Sequence, residues 1–268
     1  CCYECSYCGG CRSAHETLAG RKGIVTRTPA RVVDDLRRLG KTGSIQASLS
    51  YDIAELGEAY WQEFFSLLRD SGVRIGLYNE LFQLPKPEFV EEFARSVDMA
   101  HSCLALSPLS GSEAVRRLNG KQFSNEELFD VLDLLSRRNV PIFVYFSLNL
   151  PGEDDRVIQE TVDLAGRIYE FYPPSLLKIL NSCHTIDPFS PMSLHPERFV
   201  IEVSMRTFMD YYAYCRDTQL VSPESRTEMH RGFKPAGSGA RALEAMAEAW
   251  DAARRGRESS WWPIPPGW

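Results

Sequence analysis

Apolar residues fall into two alternating patterns along the chain, short continuous runs and stretches with the three-to-four spacing of a helix face. The runs at 44–50, 73–78, 103–106, 141–148 and 175–180 predict strands. Between them lie helical stretches at 57–69, 86–96, 112–118, 124–138 and 154–169, and the segment 86–96 gathers Phe89, Val90 and Phe93 on one face. Ahead of the first run, Thr28 caps a helix reaching residue 39, with Pro29 in the first position, where a missing N–H costs nothing. Ser124 and Glu127 have the spacing of a capping box.

Strand and helix alternate about six times, the pattern of a parallel sheet with right-handed crossovers. Nearly continuous apolar strands fit burial on both faces, so the fold class expected is α/β, an open or closed barrel. From about Asp187 the alternation stops. Asp187, Pro188 and Pro191 punctuate a loop, 199–216 reads as an aromatic-rich helix, and 240–255 as an Ala-rich one. The domain division expected is a barrel over 1–195 and a mainly helical extension over 196–268. The tail from Trp261 through Trp262 to Trp268 carries Pro263, Pro265 and Pro266 and cannot be regular helix.

Composition narrows the function classes. With 268 residues, 44% hydrophobic and 25% charged, the chain has apolar mass for one large core. A formal charge of −6 without a basic stripe argues against a nucleic-acid partner. The pairs Arg37-Arg38, Arg137-Arg138 and Arg254-Arg255 read as solvated helix faces. No apolar stretch approaches the roughly 20 residues of a membrane span, and no signal peptide opens the chain, so it is expected to be cytoplasmic and without a membrane partner. It begins on Cys1 rather than Met, inside its most informative motif, and is expected to be an excerpt with a segment missing upstream.

Five cysteines lie in the first 11 residues (Cys1, Cys2, Cys5, Cys8, Cys11), whereas Cys103, Cys183 and Cys215 are scattered. Such crowding favours a metal site over a disulfide framework. Cys1, Cys5 and Cys8 have the spacing C-x3-C-x2-C, which lets one loop present three thiolates to three irons of a 4Fe-4S cluster while the fourth iron stays open. A zinc site is the alternative, but closed zinc wants four ligands, usually from two C-x2-C pairs, and no second pair follows. Cys2 and Cys11 break the spacing and read as free thiols; Cys103, Cys183 and Cys215 read as small buried hydrophobes.

The triad, the following Gly9-Gly10 and the βα alternation resemble the radical S-adenosylmethionine superfamily, which implies a partial (β/α)6 TIM-like barrel with the cluster at its top. In that family an aromatic before the third cysteine packs on the adenine side, a place Tyr7 fills. Gly9 and Gly10, expected as a strand, match the glycines that offer backbone groups to the methionine amino group. Cys11 stands where many members have an acidic residue. The segments from Leu106 to Lys121, Leu150-Pro151-Gly152-Glu153 and Asp187-Pro188-Phe189-Ser190-Pro191 resemble the cobalamin-dependent branch, with Phe189 where Gly is usual. Within it the chain is most similar to tryptophan 2-C-methyltransferases of thiopeptide antibiotic biosynthesis. That resemblance implies S-adenosylmethionine and cobalamin as cofactors besides the cluster, an upstream cobalamin domain, and an external electron donor. It also implies methyl transfer through methylcobalamin to C2 of the indole of a small-molecule substrate, tryptophan. The alternatives are a radical C- or P-methyltransferase on another natural-product intermediate, and a non-catalytic metal-binding module.

Further candidates follow from position. Glu16, in a stretch read as loop beside His15, can reach the fourth iron or be an exposed carboxylate. His15 is expected at the surface. Tyr51 and Asp52 end a strand at the rim where βα barrels build active sites, and the Tyr51 phenol can hydrogen-bond or help deprotonate the indole N–H, or pack on a neighbouring loop. Tyr78, Asn79 and Glu80 are similar, weaker candidates. Ser107, Ser110, Tyr145 and Ser147 fall where the family contacts ribose or carboxylate, or are satisfied core hydroxyls. His184, His195 and His230 lack ligand spacing, and the Trp261, Trp262, Trp268 group is expected to pack outside the barrel.

Overall fold

The computed structural model describes residues 1–217, 232–236 and 241–263. The chain opens with the cysteine loop and α1 (Arg12–Ala19), then α2 (Pro29–Lys41), β1 (Gln46–Leu49), α3 (Glu58–Asp70), β2 (Gly76–Leu81) and α4 (Pro87–Ser96). There follow β3 (Cys103–Leu109), α5 (Glu113–Leu118), α6 (Asn125–Arg137), β4 (Ile142–Leu148), α7 (Asp155–Phe171) and β5 (Leu177–Cys183). The remainder holds α8 (Pro191–Leu194), β6 (Ile201–Val203), α9 (Phe208–Asp217), β7 (Phe233–Pro235) and α10 (Arg241–Ala253).

Strands β1 to β5 form one parallel sheet in sequence order. Each strand therefore returns beside its predecessor through a helix, which curls the sheet into an open half-barrel. The alternation counted as about six units yields five parallel strands among the described residues, because the stretch ahead of β1 folds as loop and helix. Thr28 caps α2 by accepting from the Arg31 N–H, and Ser124 with Glu127 closes the expected capping box on α6.

Alternation along the strands separates two faces. Leu77, Leu104, Val144, Phe146 and Ile179 are buried in one core with Phe64, Phe65, Phe89, Phe93, Leu132 and Ile168 from the helices. Each such side chain contributes about 2 kcal/mol. The register sets Tyr78 beside Cys103 and aligns Glu80, Ala105, Phe143 and Lys178 in the next row of the concave face, with Ser107, Tyr145 and Ser147 further towards the strands' C-terminal ends. That face is polar and aromatic, and a cavity of about 710 Å³ opens at its N-terminal end beside Gln46, Tyr78, Cys103 and Phe143.

Three stretches differ from the sequence reading. The residues around Glu16 are helix, not loop; α1 starts after Cys11 and is stopped by Gly20 in the left-handed conformation at φ 59°. β2 runs on through Asn79 and Glu80, whose polarity marks a strand end only until the open concave face and the Asn79–Asp52 contact are known. In place of one helix over 199–216, Ile201–Val203 pairs antiparallel with Phe233–Pro235, and α9 starts only at Phe208. Buried Ile201, exposed Glu202 and half-buried Val203 alternate as a strand does, over a second core with Ile186, Met192, Met205 and Phe233.

The chain's last described stretch joins the main core. Met246 and Trp250 of α10 pack there with Trp261, and Ile179 pairs with Trp261 so that 260–262 covers the outer edge of β5. Trp262 turns towards Phe143 and Lys178, with ring centroids 6.2 Å apart for the aromatic pair. The tail thus packs partly inside as well as on the barrel's edge. Trp268, His230 and the Cys183 side chain lie outside the described residues.

Candidate active site at the cysteine loop

The loop bearing Cys1, Cys5 and Cys8 folds as consecutive tight turns. The Cys8 N–H donates to the Cys5 carbonyl at 3.2 Å and the Cys11 N–H to the Cys8 carbonyl at 3.3 Å, after which α1 begins. Glu4 fixes the exit, its carboxylate accepting from the Ser13 N–H (3.0 Å), the Ser13 hydroxyl (2.7 Å) and Arg12 Nε (3.1 Å). Cys1, Cys5 and Cys8 are half-buried, all three unbridged. Burial pushes the Cys5 and Cys8 thiols up; the Lys121 charge opposes this at Cys5, and the Gly10 N–H, donating to Cys8 Sγ at 3.3 Å, opposes it at Cys8.

Segments distant in sequence grip this loop. Ser6 donates its hydroxyl to Asn119 Oδ1, and Asn119 Nδ2 donates to the carbonyls of Val115 (2.8 Å) and Pro151 (3.3 Å). Gly120, at φ 95°, lies so close that a Cβ there would sit 2.8 Å from Cys5 Cα. On the other side the Gly9 N–H donates to Asp187 Oδ2 at 3.0 Å and the Met192 N–H to the Ser6 carbonyl at 2.9 Å. The segments around Asn119-Gly120 and Asp187-Pro188, which resemble one family in sequence, thus meet the cysteine loop, and Leu150-Pro151-Gly152-Glu153 joins it through Asn119. Gly9-Gly10 is a turn, not a strand: a Cβ on Gly9 would stand 2.4 Å from the Pro188 carbonyl oxygen, which explains the glycine by close approach.

The donor set fits a 4Fe-4S cluster. Three thiols on one short loop, an N–H aimed at a sulfur and a buried ammonium nearby are what a thiolate-held cluster needs. Among the described residues no three His, Cys, Asp or Glu side chains converge as they would on a single ion. A cubane makes no such demand, since each thiolate takes a separate iron.

The rim candidates divide by surroundings. Tyr51 follows β1, its hydroxyl 3.9 Å from Cys2 Sγ and its ring edge-on to Phe82 at 5.0 Å. Burial and the Cys2 contact push its phenol up. Asp52 is buried and accepts from the N–H groups of Phe82 (2.7 Å) and Ala54 (2.9 Å); burial raises its carboxyl to about 6. On the concave face the Tyr78 hydroxyl donates to that of Tyr145 at 3.4 Å and Ser107 donates to Glu80 at 3.2 Å. Ser147 bonds His184 Nε2 at 2.9 Å, and the Tyr7 ring stacks on that imidazole with centroids 4.0 Å apart.

Ser110 has no exposed surface and spends its hydroxyl on Thr161 (3.3 Å) and the Ser112 N–H (3.2 Å), which matches the core-hydroxyl alternative. Glu16 is half-buried on α1 and His15 beside it exposed. Cys2 is exposed and unbridged, and Cys11 is buried with its Sγ 3.3 Å from the Ser13 hydroxyl. Cys103 is buried as expected, and burial raises its thiol to about 12. Cys215 is exposed, contrary to expectation, because α9 turns that edge outward.

Sequence reasoning named Arg116, Asn119, Lys121 and Asp187 only within the resembling segments and gave none of them a part in holding the cysteine loop. Arg116 is fully buried and donates to the carbonyls of Pro108 (3.2 Å), Phe123 (3.1 Å) and Ser110 (2.9 Å) and to Asn125, which shapes the turn carrying Gly120. The run from Arg116 to Lys121 was the available signal, but nothing local tells a buried Arg from a solvated one.

Among solved structures the chain is similar to the radical S-adenosylmethionine methyltransferase TsrM from Kitasatospora setae with cobalamin and a 4Fe-4S cluster bound (TM-score 0.54, 19% identity, covering 72% of this chain and 36% of that one). TsrM from the same organism with tryptophan substrate and the S-adenosylmethionine analogue aza-SAM bound gives a TM-score of 0.53 at 18% identity over 72% of this chain and 36% of that one. Methylornithine synthase, PylB, gives 0.51 at 12% identity over 72% of this chain and 52% of that one. The chain thus spans well under two thirds of these proteins, and at such identities the likeness is one of fold. No curated protein matches. The family model described as the radical SAM superfamily matches residues 1–165, over the cysteine loop and the sheet as far as α7. The chain belongs to the radical S-adenosylmethionine superfamily.

Proposed function

We propose that the chain is the catalytic barrel of a cobalamin-dependent C-methyltransferase that moves a methyl group from S-adenosylmethionine, by way of cobalamin, to C2 of the indole of tryptophan. The observation that carries this reading is the cysteine loop standing at the head of a concave face lined by Tyr78, Phe143 and Tyr145. Flat aromatic side chains and a few polar groups suit a planar heteroaromatic substrate. The likeness to TsrM, seen with tryptophan, supports the substrate.

Cys1, Cys5 and Cys8 would hold the cluster, and Glu16 is assigned to its fourth iron. When bound, the cluster, S-adenosylmethionine and cobalamin supply the electron and the methyl group. The chain's own residues bind and orient. Gly9, Gly10, Ser107 and Ser147 offer backbone and hydroxyl groups to the methionine and ribose ends of the cosubstrate, and Tyr7 a ring face to its adenine. Tyr145 is likewise a cosubstrate contact. Ser110 acts behind them, holding the turn after β3. Tyr51 hydrogen-bonds the indole and orients C2, an electron-rich carbon that accepts a methyl group without prior hydrogen abstraction and then releases its own proton to solvent.

An anaerobic assay of the protein reconstituted with iron, sulfide and cobalamin tests this, given S-adenosylmethionine, a low-potential reductant and tryptophan and read by mass spectrometry. Methyltryptophan with S-adenosylhomocysteine and no matching 5′-deoxyadenosine is expected. Accumulation of 5′-deoxyadenosine with tryptophan unmodified overturns both substrate and mechanism and favours a radical methyl transfer to another natural product.

A further inference from the structure

Lys121 is almost wholly enclosed, with 3% of its surface exposed, although lysine rarely gives up its hydration. Its ammonium donates to the Phe82 carbonyl at 2.8 Å. The backbone carrying it is fixed from both sides. Gln83 donates to the Gly120 carbonyl at 3.0 Å and accepts from the Gln122 N–H at 2.9 Å, and Gly120 lies against Cys5, where a Cβ would stand 3.0 Å from Sγ. Burial pulls the ammonium's pKa below the ordinary lysine value, and the groups whose charge opposes this are, in order, Cys5, Glu80, Asp52 and Cys8. Two of these are candidate cluster ligands. A buried cation facing two thiolates across low-dielectric protein is an electrostatic device, and packing alone would be served better by Met or Leu.

We propose that Lys121 sets the reduction potential of the cluster held by Cys1, Cys5 and Cys8. The step it governs is the transfer of one electron from a low-potential one-electron donor to the cluster; the donor is oxidised, the cluster reduced, and no bond forms or breaks. Reduction adds negative charge to the cluster, and a fixed positive charge beside two of its thiolates stabilises that state and raises the potential. Glu80, on the concave face and facing the same ammonium, acts in the opposite sense. Lys121 is thus a positioning and tuning residue, since it works through the ligand cysteines.

The test is a redox titration of the reconstituted protein without substrate, with titanium(III) citrate as donor and the reduced cluster read by electron paramagnetic resonance. In Lys121→Met the ratio of reduced to oxidised cluster at a fixed potential is expected to fall about tenfold, equivalent to ~59 mV for a one-electron couple. Lys121→Arg restores it to within about threefold, by retaining the charge. Glu80→Gln raises the ratio. A Lys121→Met ratio within about twofold of the parent overturns the proposal. If Lys121→Met takes up no cluster, Glu80→Gln decides: a raised ratio supports the proposal, and an unchanged or lowered one overturns it. No substrate enters the measurement, so its outcome is independent of the indole reading.

Discussion

Ser6, between Cys5 and Cys8, donates its hydroxyl to the side-chain carbonyl of Asn119 at the end of α5. The cysteine loop is thereby keyed to the turn after α5 by a buried amide, whose NH2 group also bonds the Val115 and Pro151 carbonyls. Asn119→Leu strands the Pro151 carbonyl and the Ser6 hydroxyl, leaves the Val115 carbonyl only the backbone N–H of residue 119, and is expected to lose about 1–3 kcal/mol in denaturant unfolding. Asn119→Asp keeps the acceptor for Ser6 but loses the NH2 donors, and falls between the two. Equal stability of Asn119→Leu and the parent would contradict this keying.

Gly9 meets the Asp187-Pro188 turn at a distance that leaves no room for a methyl group, with the Pro188 oxygen 2.4 Å from the position of a Cβ. In Gly9→Ala the cysteine loop must move off that turn and break the Gly9–Asp187 hydrogen bond. The far-UV circular dichroism is expected to hold while cluster uptake on anaerobic reconstitution drops severalfold. Full uptake at the parent's rate would show that the loop has slack the geometry denies.

Phe189 sits at φ 63°, in the left-handed region a bulky side chain avoids, and is exposed. Its position is the one where the resembling branch usually has Gly. Phe189→Gly relieves about 1 kcal/mol of backbone strain and loses little packing, so the midpoint of urea unfolding is expected to rise. A lowered midpoint would mean that the phenyl ring contributes more than the strain costs.

These particulars mark what the sequence disclosed. The βα alternation, the Thr28 and Ser124 caps and the C-x3-C-x2-C spacing are local patterns, and each corresponds to an observed element or loop. The helix carrying Glu16 escaped because it is short, and the β6–β7 pair because its two strands lie some thirty residues apart. The keying of Ser6 to Asn119, Gly9 to Asp187 and Lys121 to Cys5 joins residues up to 178 apart in sequence, and no periodicity announces such contacts.

Glu153 carries the clearest pH signature. Its Oε2 accepts from the Leu150 N–H at 3.0 Å, its Oε1 is buried without a partner, and burial lifts the carboxyl from the ordinary 4.5 to about 8. The folded state therefore binds this proton more tightly than the unfolded chain. The associated stability is fully present below about pH 4.5 and is lost as pH rises through about 8. Glu153→Gln removes the dependence. Relative to that variant, the parent is expected to lose stability between those limits, at roughly 1.4 kcal/mol for each unit of displacement. Parallel stability–pH curves for the two proteins would refute the assignment.

The loop of Cys1, Cys5 and Cys8 is expected to carry a 4Fe-4S cluster. It is tested most directly by measuring iron, acid-labile sulfide and zinc in the protein after anaerobic reconstitution, beside a variant with all three cysteines changed to Ala. Iron and sulfide in equal amounts are expected, one cluster to each chain, with a brown colour that oxygen bleaches and the triple variant lacks. A colourless protein holding one zinc to each chain, or iron uptake unchanged in the triple variant, would contradict it.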